Sequence, residues 1–289
     1  MEHPYLERDS ILIHGDHVTT ETGTGCVHTA PAHGADDHNI CKKYNIDTIH
    51  ALDVNGFFNQ EYKDLAGLPA IKADQIVIDI LRESGTLINE EDFHHSYPYC
   101  WRHKTPLIFA STPQWFISMD KSGLLEGSIQ AIKDVNWEPS WGYERIKSML
   151  EGRPDWCISR QRSWGVPITL LINKNNGEIH PKQNLLFNEI ADLIEENGIE
   201  SWDKVNLKEL VEDHDDYVKA TDTLDVWFDS GSTHFCVLDK LYGKDLIADL
   251  YLEGSDQHRG WFQSSLLTGI AINGKAPYKA VLTHGFVVD

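Results

Sequence analysis

The sequence predicts an α/β protein in which a parallel sheet in the C-terminal part follows a mainly β segment. Two observations carry this. Leu246–Leu252, His258–Asn273 and Ala280–Val288 read as strand, helix and strand, a βαβ unit of the kind that builds parallel sheets. Residues 1–95 instead read as short strands separated by turns, as at Ile11–Ile13 and Gly25–Val27.

The bounds are those of a globular chain. Its 289 residues suffice for roughly two domains and a sizeable core. No apolar run approaches the ~18 residues that cross a bilayer, so no membrane partner is expected. Met1–Pro4 lacks the basic and apolar regions of a signal peptide. Five scattered cysteines, an odd number, argue against a disulfide framework and for the cytoplasm. Net charge is −20, which opposes a nucleic-acid partner on its face. The distribution softens that objection. Glu178–Asp256 holds 20 acidic against 6 basic residues, whereas Glu144–Arg162 holds 5 basic against 3 acidic. Only the second stretch suits phosphate.

In chain order, the turn-rich beginning is followed by a helix whose stripe is Ile76, Val77, Ile80 and Leu81, with Gly85 as its stop. The run His94–His103 then marks a change to aromatic and polar character. Beyond it Trp115, Trp137, Trp141, Trp156 and Trp164 give a high density of indoles. Asn184–Asn197 is amphipathic through Leu185, Leu186, Ile190, Leu193 and Ile194, and ends at Gly198. In the closing βαβ unit, the helical face takes Trp261, Phe262, Leu266 and Ile270. The turn Glu253–Gln257 falls at the carboxyl end of a strand and the start of a helix, where open α/β sheets bind ligands.

Four motifs carry candidate chemistry. Gly254–Trp261 packs acid, amide, imidazole and guanidinium into one turn. It reads either as a helix capped by Asp256 or as a ligand site. Two carboxylates and an amide suit ribose hydroxyls and an ammonium group, and suit bare phosphate poorly. Thr221–Gly231 alternates apolar and polar residues and stops at Ser-Gly; it reads either as a plain strand with Trp227 in the core or as a functional segment. In Trp156–Gly165, Arg160 and Arg162 would share one side of a strand and face a polyanion; the plain alternative is a solvated face. Gly23–Asp37 is a glycine-punctuated loop with two imidazoles and two carboxylates. His28, His33 and Asp37 are metal-ligand types, although their spacing matches no standard zinc pattern. The rival is a metal-free hydrolytic pocket holding an amino group on a carboxylate. Cys100 and His103 have C-x2-H spacing without a nearby second pair, so no metal site is assigned.

Taken together these strings resemble the isoleucyl-tRNA synthetase family of class I aminoacyl-tRNA synthetases, in the family's order and through nearly all of the chain. GTGCVHTAPAHGADD is similar to the core of the inserted editing domain. HSYPYCWRHKTP, TPQWFISMD, RPDWCISRQRSWGVP, DTLDVWFDSGS, YLEGSDQHRGWF and VLTHGFVVD are similar to the catalytic blocks that follow. Ala32 departs from a glycine common in bacterial members. Neither the HIGH nor the KMSKS string occurs, so the expectation is an internal fragment, inactive alone in aminoacylation. The resemblance implies the C-terminal part of an editing domain over 1–95 and a return to the catalytic body over 96–112. It implies the second half of a Rossmann-type catalytic domain over 113–289, with a helical insertion near 180–215.

The resemblance further implies ATP-dependent activation of isoleucine, transfer to tRNA(Ile), and hydrolytic editing of mischarged valine. ATP is then a substrate, Mg2+ its companion, and the whole enzyme a monomer. Glu253 would contact isoleucyl-adenylate, with Gly254, Asp256 and Gln257 on its amino and ribose groups and His258 beside the nucleotide. Trp227 and Trp261 would wall the side-chain pocket, and Arg160, Arg162 and Trp164 would face the cleft or the tRNA. Asp37 would bind the ammonium of a mischarged valine and His28 would position the 3′ adenosine or the ester. A stand-alone deacylase of mischarged tRNA and a non-catalytic tRNA-binding remnant are the alternatives.

Overall fold

The computed structural model describes every residue except Thr22, Lys244, Asp245, Val287 and Asp289. The chain divides into two compact units, Met1–Pro113 and Gln114–Asp289.

In the first unit, helices α1 (Ala35–Lys43) and α2 (Asp74–Glu83) are joined by turns and isolated bridges. Helix α2 forms where the apolar stripe predicts it. Ile76, Val77 and Ile80 pack on a small core of Tyr62, Leu65 and Ala73. Asp74 stands at the positive end of the helix dipole, and Gly85 follows with a φ of 73° that favours glycine. The strands expected at Ile11–Ile13 and Gly25–Val27 do not form. A strand needs a neighbour to complete its hydrogen-bond ladder. Here Ile11, Leu12 and Val27 stay exposed, and among the described residues the pairing near them is the Glu2–Asp9 bridge.

The second unit begins with β1 (Phe116–Ile117), α3 (Leu124–Ala131), β2 (Asn136–Glu138), α4 (Trp141–Glu151), β3 (Trp156–Cys157), β4 (Ser159–Arg160) and β5 (Leu171–Asn173). Then come α5 (Gln183–Asn197), α6 (Ser201–Lys204), α7 (Leu207–Leu210), β6 (Tyr217–Lys219), β7 (Thr223–Leu224) and α8 (Val226–Gly231). It closes with α9 (Lys240–Tyr242), β8 (Tyr251–Gly254), α10 (Trp261–Asn273) and β9 (Ala280–His284).

Strands β2, β9 and β8 form a parallel sheet with β9 in the centre. The α/β class expected from the sequence is therefore observed, and β8, α10 and β9 are its βαβ unit. Strand β8 starts only at Tyr251, and Leu246, Leu250 and Leu252 of the expected apolar run are exposed. Strand β9 ends at His284, while Val287 of the expected Ala280–Val288 strand lies outside the described residues.

Helix α10 is buried on all sides from Phe262 to Gly269, where the sequence suggested one apolar face. Small residues allow this. The Cβ that an alanine would add at Gly231 meets the Ser264 carbonyl carbon at 2.9 Å, so α8 lies on α10 with almost no gap. On the other side α10 packs against α3, and with Leu266, Leu267, Tyr278 and Val281 it forms the main core. A second core joins Leu186 and Ile190 of α5 to Leu171 and Trp202. Helix α5 ends at Gly198 as expected, but Leu185 of its predicted face is exposed.

Candidate functional site

The site grows from the carboxyl edge of the parallel sheet. There β8 ends in Glu253 and Gly254, the chain makes one tight turn through Ser255–His258, and α10 starts at Trp261. Gly254 pairs in register with His284 at the end of β9. A Cβ at Gly254 would stand 2.7 Å from Asp256 Oδ1, so a larger residue there would displace that carboxylate. The Asp256 carboxylate is thus folded over the end of the strand. Its other oxygen accepts a hydrogen bond from Gln257 Nε2 at 2.7 Å. Gln257 Oε1 in turn accepts the Trp261 backbone N–H at 3.0 Å, one of the donors that a helix start leaves unpaired. The amide therefore ties the acid to the first turn of α10. Glu253 is exposed and, among the described residues, makes no side-chain hydrogen bond or ion pair.

The two indoles lie differently. The segment Thr221–Gly231 is not the strand its alternation predicted. Strand β7 stops at Leu224, and α8 begins after Asp225, whose backbone is extended in the manner of a residue preceding a helix. Trp227 is therefore 42% exposed rather than in the core. Its ring edge comes against Gly260, 3.0 Å from the position of an added Cβ, the same point that Gln257 Oε1 approaches at 2.6 Å. Trp261 stacks on Tyr251 at 4.0 Å and 6°, and its indole N–H donates to Ser230 O at 3.0 Å. Asp256, Gln257, Gly260, Trp227 and Trp261 thus form one continuous surface. Truncating Trp227 to alanine should cost less than ~1 kcal/mol of stability, whereas Trp261→Ala should cost about 3 kcal/mol or more. Urea unfolding of both variants checks this, and equal losses would contradict the different placements.

His258 faces inward. It is 0% exposed, packed between Trp137, Trp141 and Phe262, with Nδ1 bonded to Ser255 O at 3.0 Å and Nε2 without a hydrogen-bond partner among the described residues. The contact with a nucleotide expected from the sequence is not open to it in this arrangement, and it braces the turn from behind. Burial lowers its pKa below the ordinary 6.5, and the nearby Arg145 adds to this, against the Ser255 hydrogen bond. Burial likewise lowers that of His234. Both folded pKa values lie below the unfolded one, so the unfolded chain binds more protons under pH 6.5. The stability these groups preserve is complete above the unfolded pKa and lost as pH falls through it. The urea midpoint should fall between about pH 7.5 and about pH 5.5, and fall less in His258→Asn.

Among the described residues, no hydrogen bond, ion pair or ring contact ties Arg160, Arg162 or Trp164 to Asp256, Gln257 or the two indoles. Strand β4 ends at Arg160, so the argument that both arginines face one side does not apply. Arg160 Nη2 lies 3.2 Å from Asp225 Oδ2, while Arg162 and Trp164 are exposed beyond the strand. Sequence reasoning missed Asp225, only 4% exposed, which also accepts the Trp156 indole N–H at 3.1 Å. Its signal was an aspartate just before a helix start. Burial, and then the Asp225 charge, hold Asp229 above the ordinary carboxylate range. Arg153, which bonds Gln263 on α10 and lies over the Trp156 ring, was missed as well.

In the first unit, Asp37 lies in the first turn of α1 and its Oδ2 accepts the Ala30 N–H at 2.9 Å. Gly34 leaves room for that carboxylate, which a Cβ would meet at 2.8 Å. The loop 30–37 is thereby closed on itself, with His28 exposed two residues before Ala30. His33 turns to Phe109 O at 2.8 Å. Among the described residues no group of three His, Cys, Asp or Glu side chains is placed to hold a metal ion. Cys100 and His103 do meet, at 3.6 Å between Sγ and Nδ1.

Residues 33–289 match the family model of tRNA synthetases class I (I, L, M and V). The whole chain is 55% identical to isoleucine–tRNA ligase of Idiomarina loihiensis, and is similarly related to those of Coxiella burnetii (55%) and Saccharophagus degradans (54%). It spans 31% of the length of these relatives.

Proposed function

Because the chain belongs to the class I tRNA synthetases (I, L, M and V), we propose that it forms the part of an isoleucine–tRNA ligase that holds isoleucyl-adenylate and edits mischarged valine. The whole enzyme would use isoleucine, ATP and tRNA(Ile). The observation that carries the reading is the turn at the carboxyl edge of the parallel sheet, where Glu253, Asp256 and Gln257 gather.

The chemistry follows from the donor and acceptor sets. Ionised carboxylates only accept hydrogen bonds. Glu253 and Asp256 therefore match an ammonium group and ribose hydroxyls, and repel phosphates. Gln257 fixes Asp256 in place. The bare backbone at Gly254 lets the ligand approach the strand end. Trp227 and Trp261 cover the aliphatic side chain, each methylene being worth about 0.8 kcal/mol. Such a wall excludes larger side chains by overlap but cannot repel valine. Isoleucine against valine is the standard illustration of that limit, and of the second, hydrolytic sieve that overcomes it. Asp37 would hold the ammonium of the valyl ester in that sieve, with His28 at the 3′ adenosine. Mg2+ would accompany ATP, but no cluster among the described residues fits it.

The test is a chimera in which the chain replaces the matching third of the Idiomarina loihiensis enzyme. Isoleucine-dependent ATP–pyrophosphate exchange is expected, and Val-tRNA(Ile) should be deacylated. Asp37→Ala should release Val-tRNA(Ile) and leave isoleucine activation nearly unchanged. Deacylation that falls with chelator and returns with zinc would instead favour a metal at His28, His33 and Asp37. Deacylation without activation would favour a stand-alone deacylase, and tRNA binding without either would favour a non-catalytic remnant.

A further inference from the structure

Leading into the hairpin that turns at Trp101–Lys104, an extended segment of the first unit carries aromatic residues at alternate positions. Phe93 and His95 stack at 5.6 Å and 26°, His95 and Tyr97 meet edge-on at 5.8 Å, and Tyr97 and Tyr99 edge-on at 6.4 Å. Alternate side chains of an extended chain point to one side, so the rings form a ladder. It is not buried: Phe93 is 77% and Trp101 75% exposed. The Tyr97 hydroxyl donates to Leu107 O at 2.8 Å, and Leu107 N–H donates to Pro98 O at 3.1 Å, which pins the ladder to the returning strand. At the tip the Arg102 guanidinium lies 4.9 Å over the Trp101 ring.

We propose that residues 93–104 are a stacking platform for a single-stranded RNA end. Exposed aromatic rows mark interaction sites, and unpaired bases stack on such rings whatever their sequence. Charge selects this occupant. Residues 93–104 contain the cations Arg102 and Lys104 and no carboxylate, in a chain of net charge −20. An apolar protein face would need the rings but not the cations, whereas a nucleotide uses both. Glu90, Glu91 and Asp92 precede Phe93 and end the footprint on that side by repelling phosphate. The inference takes its RNA partner from the proposed function. Binding of an adenylate analogue at the Asp256 turn reads that function separately, and ladder variants leave it unchanged.

Anisotropy of a short fluorescein-labelled single-stranded RNA, titrated with the 289-residue chain, tests it. Phe93→Ala and Trp101→Ala remove exposed rings, so folding, checked by circular dichroism, is retained. Each should weaken binding roughly 5- to 100-fold. Arg102→Gln should lower the salt dependence, and the same sequence as a duplex should bind more weakly. Undetectable binding of the single strand, equal binding by the ring variants, or preference for the duplex would overturn the proposal. Self-association of the chain that the ring variants abolish, with RNA binding unchanged, would assign the ladder to a protein contact and overturn it too.

Discussion

Asp256→Ala in the chimera should lower kcat/KM for isoleucine activation by about 10²-fold or more while leaving the fold intact. The carboxylate has two roles at once. It is proposed to accept from the adenylate, and it holds Gln257 Nε2 at 2.7 Å. Removing it deletes a charge-assisted partner, worth about 1.5–3 kcal/mol. It also frees the amide whose other end bonds the Trp261 N–H, so that wall and acid lose their fixed spacing. Misplacement near the reacting groups alone can cost about 10²-fold. Asp256→Asn separates the two parts. It keeps the shape and an acceptor for Gln257 but removes the charge, and its loss should fall between wild type and alanine. Pyrophosphate exchange at varied isoleucine measures both. An Asp256→Ala chimera within a few-fold of the parent would remove the turn from the site.

The largest loss of stability is expected from Phe262→Ala, at about 3–5 kcal/mol. Phe262 is fully buried where α10 leaves the site, and its carbonyl accepts the hydroxyl of Tyr278, also buried, at 3.0 Å. The vacated space is hemmed by other core members, including Leu266 and Val281, and collapse would have to move the helix that positions Trp261. Whole domains are stable by only about 5–15 kcal/mol, so the variant would lose a large share. Urea unfolding should show a lower midpoint with an unchanged slope. A shift below ~1 kcal/mol would mean that the core around α10 is not what holds this unit together.

The sequence made the βαβ unit legible because three signals agreed. An apolar stretch, a helical run closed by Gly274 and a second apolar strand left one economical topology, and the turn at its carboxyl edge followed. The helix that carries Trp227 was not legible, for a local reason. Alternation over Thr221–Phe228 imitates a strand, and the Asp225 that starts the helix carries its structural weight through contacts 69 and 65 residues away, with Trp156 and Arg160. Such pairings have no local signature. The same holds for His258: its position one turn from Asp256 suggested a ligand, while only the packing of Trp137 and Trp141 shows that it is enclosed. In the first unit, apolar triplets such as Ile11–Ile13 were readable but their strand partners were not, because pairing is decided by distant chain.

The turn Glu253–Gln257 is proposed to hold isoleucyl-adenylate. Calorimetric titration of the 289-residue chain with a non-hydrolysable isoleucyl-adenylate analogue tests it most directly. Saturable binding is expected, abolished by Asp256→Ala and left unchanged by Asp37→Ala. Binding that survives Asp256→Ala, or no binding by a chain that is folded, would contradict it.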